Sequence, residues 1–300
     1  MIMIFEKAIK LIFVMSFCFI VSCSDDTNID GQVDDLYLYI PDANFETKLI
    51  SLGIDSDNTV NEKMLKTDAI NIQTLNVDDL GINDITGIEG FVDLKNLSAA
   101  QNNIEQIDLK FNTMLDTLVL FANHIKSIDL SNNTKLLKVN LESNELSSLK
   151  GLSKATKLKR LDASFNYLKA FSINHESIEI LYISDNDLES FDVEGAVNLK
   201  NIFLKTNKLT SIDLSTNTIL ETLVLSDNKI QQISLEENSD LTVLWISSNL
   251  LTKLDVSNLE KLSFLSVYNN PDLSCIKIGN GQDVPNLNTS DYQDLNVVCD

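Results

Sequence analysis

The chain has 300 residues, and its 44 acidic side chains against 23 lysines and arginines give a formal charge of −21. That balance excludes a nucleic-acid binder, which needs a basic stripe. With two histidines and nine scattered glycines, the chain has no H-E-x-x-H, no G-x-S-x-G and no phosphate-cradling glycine loop, so no catalytic residue and no cofactor is expected.

In chain order, the first element is a targeting segment. Lys7 and Lys10 precede the apolar run Leu11 to Val21, which is too short to span a bilayer as a helix and suits a signal peptide over residues 1–22. The run ends in Ile20-Val21-Ser22-Cys23, which resembles a bacterial lipobox. That resemblance implies that Cys23 is lipidated and becomes the new N-terminus. Acyl chains contribute about 0.8 kcal/mol per buried CH₂, and two chains already anchor stably. Residues 23–36, rich in Asp, Asn, Gly and Ser, read as an acidic flexible tether. Glu6, Lys7 and Lys10 carry a net +1, so the chain after the signal carries −22.

Residues 37–71 read as an N-terminal cap. Pro41 and Asp42 open a helix expected to run through Leu52 to Gly53, with Phe45, Leu49 and Leu52 on one face. The segment Asp55 to Asn61 has the carboxylate spacing of a calcium loop but lacks the central glycine and the fifth ligand. It is expected to be a solvated loop, and no metal is assigned.

Residues 72–274 hold a repeat. Asn102, Asn123, Asn144, Asn166, Asn186, Asn207, Asn228, Asn249 and Asn270 recur at steps of 20 to 22 residues. A constant period near 21 is the mark of a stacked solenoid. Around each asparagine the frame is L-x-x-L-x-L-x-x-N-x-L, as in Leu115 to Ile125, Leu199 to Leu209, Leu220 to Ile230 and Leu241 to Leu251. Leucines alternate with other residues before the asparagine, so a short strand turns them inward. The asparagine then sits where the chain leaves the strand, and its amide can satisfy buried backbone groups there. An earlier copy, Ile72 to Ile82, has Leu80 in the asparagine's place. The other half of the coil repeats Ile128-Asp129-Leu130-Ser131-Asn132-Asn133-Thr134 and Ile212-Asp213-Leu214-Ser215-Thr216-Asn217-Thr218, and is weakest around Asn174-His175. It is too short for a long helix, so turns, 3₁₀ pieces or a second strand are expected.

This frame resembles the leucine-rich repeat family, and the short coil with its I-D-L-S-x-N-T half looks like the surface lipoproteins of Bacteroidota-type bacteria and, more loosely, the internalins. The resemblance implies an α/β repeat solenoid: a right-handed horseshoe of about ten short coils, with a parallel concave sheet, a turn and 3₁₀ convex side, a helical N-cap and a disulfide C-cap. It also implies a surface used for binding. Ser24-Asp25-Asp26 behind Cys23 look like the export signal of outer-surface lipoproteins in that group, which implies an outer-membrane location facing the cell exterior.

Two constellations stand out of the frame. The central outward strand position reads Ser98, Val119, Asn140, Asp162, Tyr182, Phe203, Val224, Trp245 and Ser266. Tyr182, Phe203, Val224 and Trp245 thus form one row about 15 Å long at a strand spacing of about 4.8 Å. Phe121, Phe165 and Tyr268 are read as the outward position two residues along, with Val243 and Phe264 on the other flank. The rim mixes Lys159, Arg160, Lys200 and Lys205 with Glu179, Asp185, Glu221 and Asp227. Exposed aromatics mark an interaction site; the competing role is cross-strand packing. In the second constellation, Asp108, Asp129, Asp192, Asp213 and Asp255 are expected to cap their own turns, since Lys150 and Ser172 would interrupt an ion ladder.

Residues 275–300 read as a C-terminal cap. With Cys18 in the signal and Cys23 lipidated, Cys275 and Cys299 remain as a pair outside the cytoplasm. The whole predicts a monomeric, non-catalytic cell-surface adhesion protein with a protein or peptide ligand, touching the membrane only through its lipid. The alternatives are a glycan-binding accessory lipoprotein and a structural component of the envelope.

Overall fold

The computed structural model describes residues 36–299. Cys18, Cys23, the signal segment and most of the tether lie outside them. The described residues fall in one compact unit. Its spine is a parallel sheet of eleven three-residue strands, from Thr74–Asn76 to Asn286–Asn288. The register is uniform: Leu118 pairs with Val139, Leu181 with Ile202 and Leu223 with Leu244. The strand's middle residue is buried in every coil but the last, so the leucines make one continuous core along the stack. No coil could bury its own set, which is why the fold needs its neighbours.

Each of the first ten coils leaves the sheet through a residue in the left-handed region just before the asparagine position. Gln101, Ala122, Ser143, Asp185 and Thr206 all have φ between 53° and 55°. The asparagine holds that bend to the coil before. Asn207 Oδ1 accepts from the Leu188 N–H at 3.0 Å, and its Nδ2 donates to the Ile183 carbonyl at 3.0 Å and the Leu204 carbonyl at 3.1 Å. Asn123, Asn144, Asn166, Asn186, Asn228 and Asn249 repeat the pattern. Asn270 and Asn102 end the series, and Asn102 Oδ1 accepts from both Leu80 and Ile82. Leu80 needs no amide because no coil precedes it. The N-terminal cap lies there instead, with Asn44 Nδ2 on the Gly81 carbonyl at 3.3 Å.

A second ladder runs along the opposite side of the coils, one the frame did not reveal. Asn112, Asn133, Asn217 and Asn238 are buried, and each Nδ2 donates to two carbonyls of the preceding coil. Gln282 continues it, with bonds of 3.0 and 2.8 Å to the Val256 and Leu259 carbonyls. The four asparagine amides only donate, since the Oδ1 of each has no partner, whereas Gln282 Oε1 accepts from the Gly279 N–H at 2.7 Å. The same side carries turns, the 3₁₀ pieces Ile88–Gly90 and Leu152–Lys154, and short strands such as Ser127–Asp129 paired with Ser148–Lys150.

Helix α1 spans Ala43–Ser51. Asp42 caps it by accepting from the Asn44 and Phe45 N–H groups, the ordinary N-cap device. Gly53 follows at φ 67°, the left-handed residue that ends a helix. Phe45 and Leu49 are fully buried, but Leu52 is exposed. Leu52 is the C-cap residue, past the last turn that faces the core, and Glu46 is buried in its stead. Glu46 accepts from the Asn61, Glu62 and Lys63 N–H groups at 3.0 to 3.1 Å, tying the helix to the following loop. That loop is not fully solvated as expected. Asp55 is only 1% exposed, because the chain folds back between Glu46 and Asp68 and encloses it.

The tail also differs from expectation. Asn286–Asn288 adds an eleventh strand to the long sheet, and Cys275–Lys277 and Asp294–Asn296 pair on the other side. Buried Gln293 takes over from asparagine there, its Nε2 reaching the Val267 carbonyl at 3.2 Å. The stack is therefore one coil longer than the sequence frame suggests. Cys275 and Cys299 form a disulfide.

Candidate binding face

The outward positions of the long sheet are the first and third residues of each strand. Tyr182 and Phe203 stand opposite each other on adjacent strands. Their rings stack with centroids 4.5 Å apart and planes 6° from parallel. Arg160, on the strand before, lies over the Tyr182 ring with its guanidinium 4.6 Å from the centroid. Because Arg160 and Phe203 come from opposite sides, both faces of Tyr182 are covered. Cation–π contacts of this kind contribute about 0.5–1 kcal/mol at exposed sites. In sequence Arg160 falls on the rim; its diagonal offset from Tyr182 on the paired strand is the signal that links them.

The expected row is broken at Val224. Only 7% of Val224 is accessible. It pairs with Phe203 on one side and Trp245 on the other, and two large rings cover so short a side chain. It belongs to the packing and is not a contact residue. Trp245 is 41% exposed and meets Phe264 at 5.5 Å with the rings tilted by 35°.

Phe165 also changes place. It directly precedes Asn166 and adopts φ 56°, so it sits in the bend column with Ala122 and Asp185, one residue beyond the position of Phe121 and Tyr268. Its side chain is exposed at the lip of the face. Phe121 is half-buried and lies three coils from Tyr182; Tyr268 is exposed. The structure thus brings together Arg160, Tyr182 and Phe203 as one group and Trp245, Phe264 and Tyr268 as another, with Phe121 apart.

The charged rim is paired across coils. Lys159 meets Glu179 at 2.9 Å and Lys205 meets Asp227 at 3.8 Å, all well exposed, so the pairs contribute little to stability. Glu142 is pushed above its ordinary carboxylate range by burial and by the neighbouring Asp162. On the opposite side Asp108, Asp129, Asp192, Asp213 and Asp255 each accept from the N–H two residues on, at 2.9 to 3.1 Å. These are Asx turns. Among the described residues no cluster of three or more metal-ligating side chains is suited to hold a metal ion. His124 is exposed and paired with Glu145 at 3.1 Å. His175 is partly buried: burial lowers its pKa, and Nδ1 meets the Ser177 hydroxyl at 3.0 Å.

Among solved structures, the chain is similar to the functional domain of InlJ from Listeria monocytogenes. Identity is 24%, the TM-score 0.60, and the match covers 84% of this chain and 61% of that one. The fold is that of a leucine-rich repeat solenoid. A leucine-rich repeat protein of Leptospira interrogans matches at 22% identity and a TM-score of 0.61, over 76% of this chain and 62% of its own. The Drosophila Toll–Spätzle complex matches at 22% and 0.57, over 67% of this chain and 30% of that one. This chain therefore spans about three fifths of the two bacterial leucine-rich repeat chains. Neither a family model nor a curated protein matches it.

Proposed function

We propose that this leucine-rich repeat protein is a non-catalytic binding protein of the cell surface that takes a protein or peptide segment on its long sheet. In this reading it is a monomer held to the outer membrane, facing outward, by acylated Cys23. The observation that carries the ligand class is the Arg160–Tyr182–Phe203 column. Its rings are stacked on one another, so they offer edges and not free faces to a partner. A sugar needs a ring face; a peptide side chain can pack against the edges while its backbone and charges use the mixed rim. Aromatic and arginine anchors in a pre-packed group are what protein interfaces favour. The fold also supports the reading, since a similar chain, Toll, is found in complex with Spätzle.

The test is capture of a binding partner from host-cell and envelope protein extracts by wild type and by a Tyr182→Ala/Phe203→Ala variant. Loss of roughly tenfold or more in apparent affinity is expected, the scale of truncated aromatic anchors. Equal capture by both proteins would remove this column as the site. No partner in any extract would favour the structural role in the envelope.

A further inference from the structure

The last three coils differ from the first eight in charge. Four outward positions recur per coil: the residue before each strand, the strand's first and third residues, and the residue two past the third. Coils 1 to 8, from Asp78 in the first to Glu221 in the eighth, each place at least one charged side chain there. Coils 9, 10 and 11 place none; the next acidic residue, Asp291, falls in the turn beyond. In a chain with a net charge of −21, such a stretch is an exception. Among the described residues, it also holds the only aromatic side chains at these four positions that are exposed. Trp245 is 41% exposed and Tyr268 37%, and the 35° tilt between Trp245 and Phe264 opens an angle where Tyr182 and Phe203 close on each other.

The polar groups around these rings are amides and hydroxyls. Ser247 and Ser266 are buried and share a hydrogen bond of 2.8 Å, and Asn288 Nδ2 donates to the Ser266 hydroxyl at 3.2 Å, so the serines hold the exposed Asn288 in place and are not themselves open to a ligand. Asn269 flanks Tyr268 and is exposed. Groups that both donate and accept match the hydroxyls of a sugar, which do the same. The C–H face of a pyranose is apolar and suits an open indole. No charge has to be dried when such a ligand docks, and drying an unpaired charge is the costly step. A protein surface carries about one charged residue in four, and here those charges would find no counter-charge. Acidic saccharides would meet the repulsion of the acidic molecule as a whole.

We infer that coils 9 to 11 form a second binding surface, for an uncharged carbohydrate, with Trp245 as the stacking platform and Tyr268, Asn269 and Asn288 as the hydrogen-bonding groups. This surface is separate from the Arg160–Tyr182–Phe203 column and does not depend on the protein-binding reading.

The test presents the full-length protein with immobilised neutral gluco-, manno-, galacto- and xylo-oligosaccharides beside sialylated and sulfated ones. Binding to at least one neutral class is expected. Trp245→Ala should raise its Kd roughly tenfold or more, as removal of a central aromatic does. Trp245→Phe should restore part of the affinity, and Tyr182→Ala/Phe203→Ala should leave it unchanged. An unaltered thermal midpoint in each variant shows that folding is not the cause. Absence of neutral binding, binding of the charged sugars alone, or retention by Trp245→Ala would each overturn the inference. None of these outcomes touches capture of a protein partner through Tyr182 and Phe203.

Discussion

Asn207 shows how one side chain can serve two coils. Its Oδ1 is the acceptor for the buried Leu188 N–H, while the carbonyls it donates to also receive bonds from the neighbouring asparagines Asn186 and Asn228. Asn207→Ala therefore orphans one donor outright and weakens two acceptors. An orphaned buried donor costs about 1–3 kcal/mol, so the urea midpoint should fall by the equivalent of about 2 kcal/mol. Asp213→Ala, which removes only an exposed Asx turn, should move it much less. Similar midpoints for both would show the ladder to be redundant. Two carboxylates of the N-terminal cap act with opposite sign. Burial raises the pKa of Asp42, but four backbone N–H groups outweigh it and the net shift is downward. Burial, then the charge of Asp57, drives Asp55 upward, with Glu46 and Asp68 adding to it. A raised carboxylate takes up its proton more readily in the folded chain. Ionised Asp55 thus costs stability at neutral pH, and the cost vanishes as pH falls through its raised pKa. Asp55→Asn should stabilise the protein at neutral pH and make no difference in acid below the carboxylate range, as followed by thermal melting across pH. Destabilisation at neutral pH would mean that the carboxylate has a cationic partner.

At the scale of the coil, the asparagine spacing made the strand, its inward leucines and the bend legible, because those features repeat locally and the chemistry of the amide demands the same place each time. The second ladder was present in Asn133 and Asn217 but unreadable, since coils 4 to 6 lack it: Ala155, His175 and Ala196 stand near its place. The eleventh coil was hidden because Leu287 is the only apolar residue of its strand and Gln293 replaces asparagine. Val224 could not be recognised as buried from its own coil, because what covers it comes from the coils on either side. The tail depends on its disulfide. Cys275 and Cys299 are 24 residues apart, and a loop of that size contributes about 3 kcal/mol. Cys299→Ser should leave the strand Asp294–Asn296 without its clamp. Faster hydrogen exchange confined to residues 286–299 is expected, with the earlier coils unchanged. Loosening spread over the whole stack would show that the tail is a true end cap and not a local staple.

For the whole molecule, the acidic surface and the charge-free outward sheet positions of the last three coils define where a partner of a given chemistry can approach. In the proposed reading, its placement on a cell depends on residues 1–35. If Cys23 carries the lipid, Cys23→Ala should move the protein from the membrane fraction to the soluble one, and protease added to intact cells should remove the wild-type chain from their surface. Membrane retention of the variant would refute the anchor, and protease resistance of the wild type would place the chain on the inner side.

The bonds of Asn207, Asn228 and Asn249 are interchangeable: each joins its coil to the previous one through the same three kinds of atom. Excising or duplicating one such coil leaves every remaining joint chemically complete. The length of this protein can thus drift through whole-repeat insertions and deletions, which lengthen or shorten the interval between its two groups of aromatics in quanta of about 4.8 Å. The Asn228 coil alone lies between the two groups, so selection can adjust that interval by copying or removing it without touching a contact residue of either.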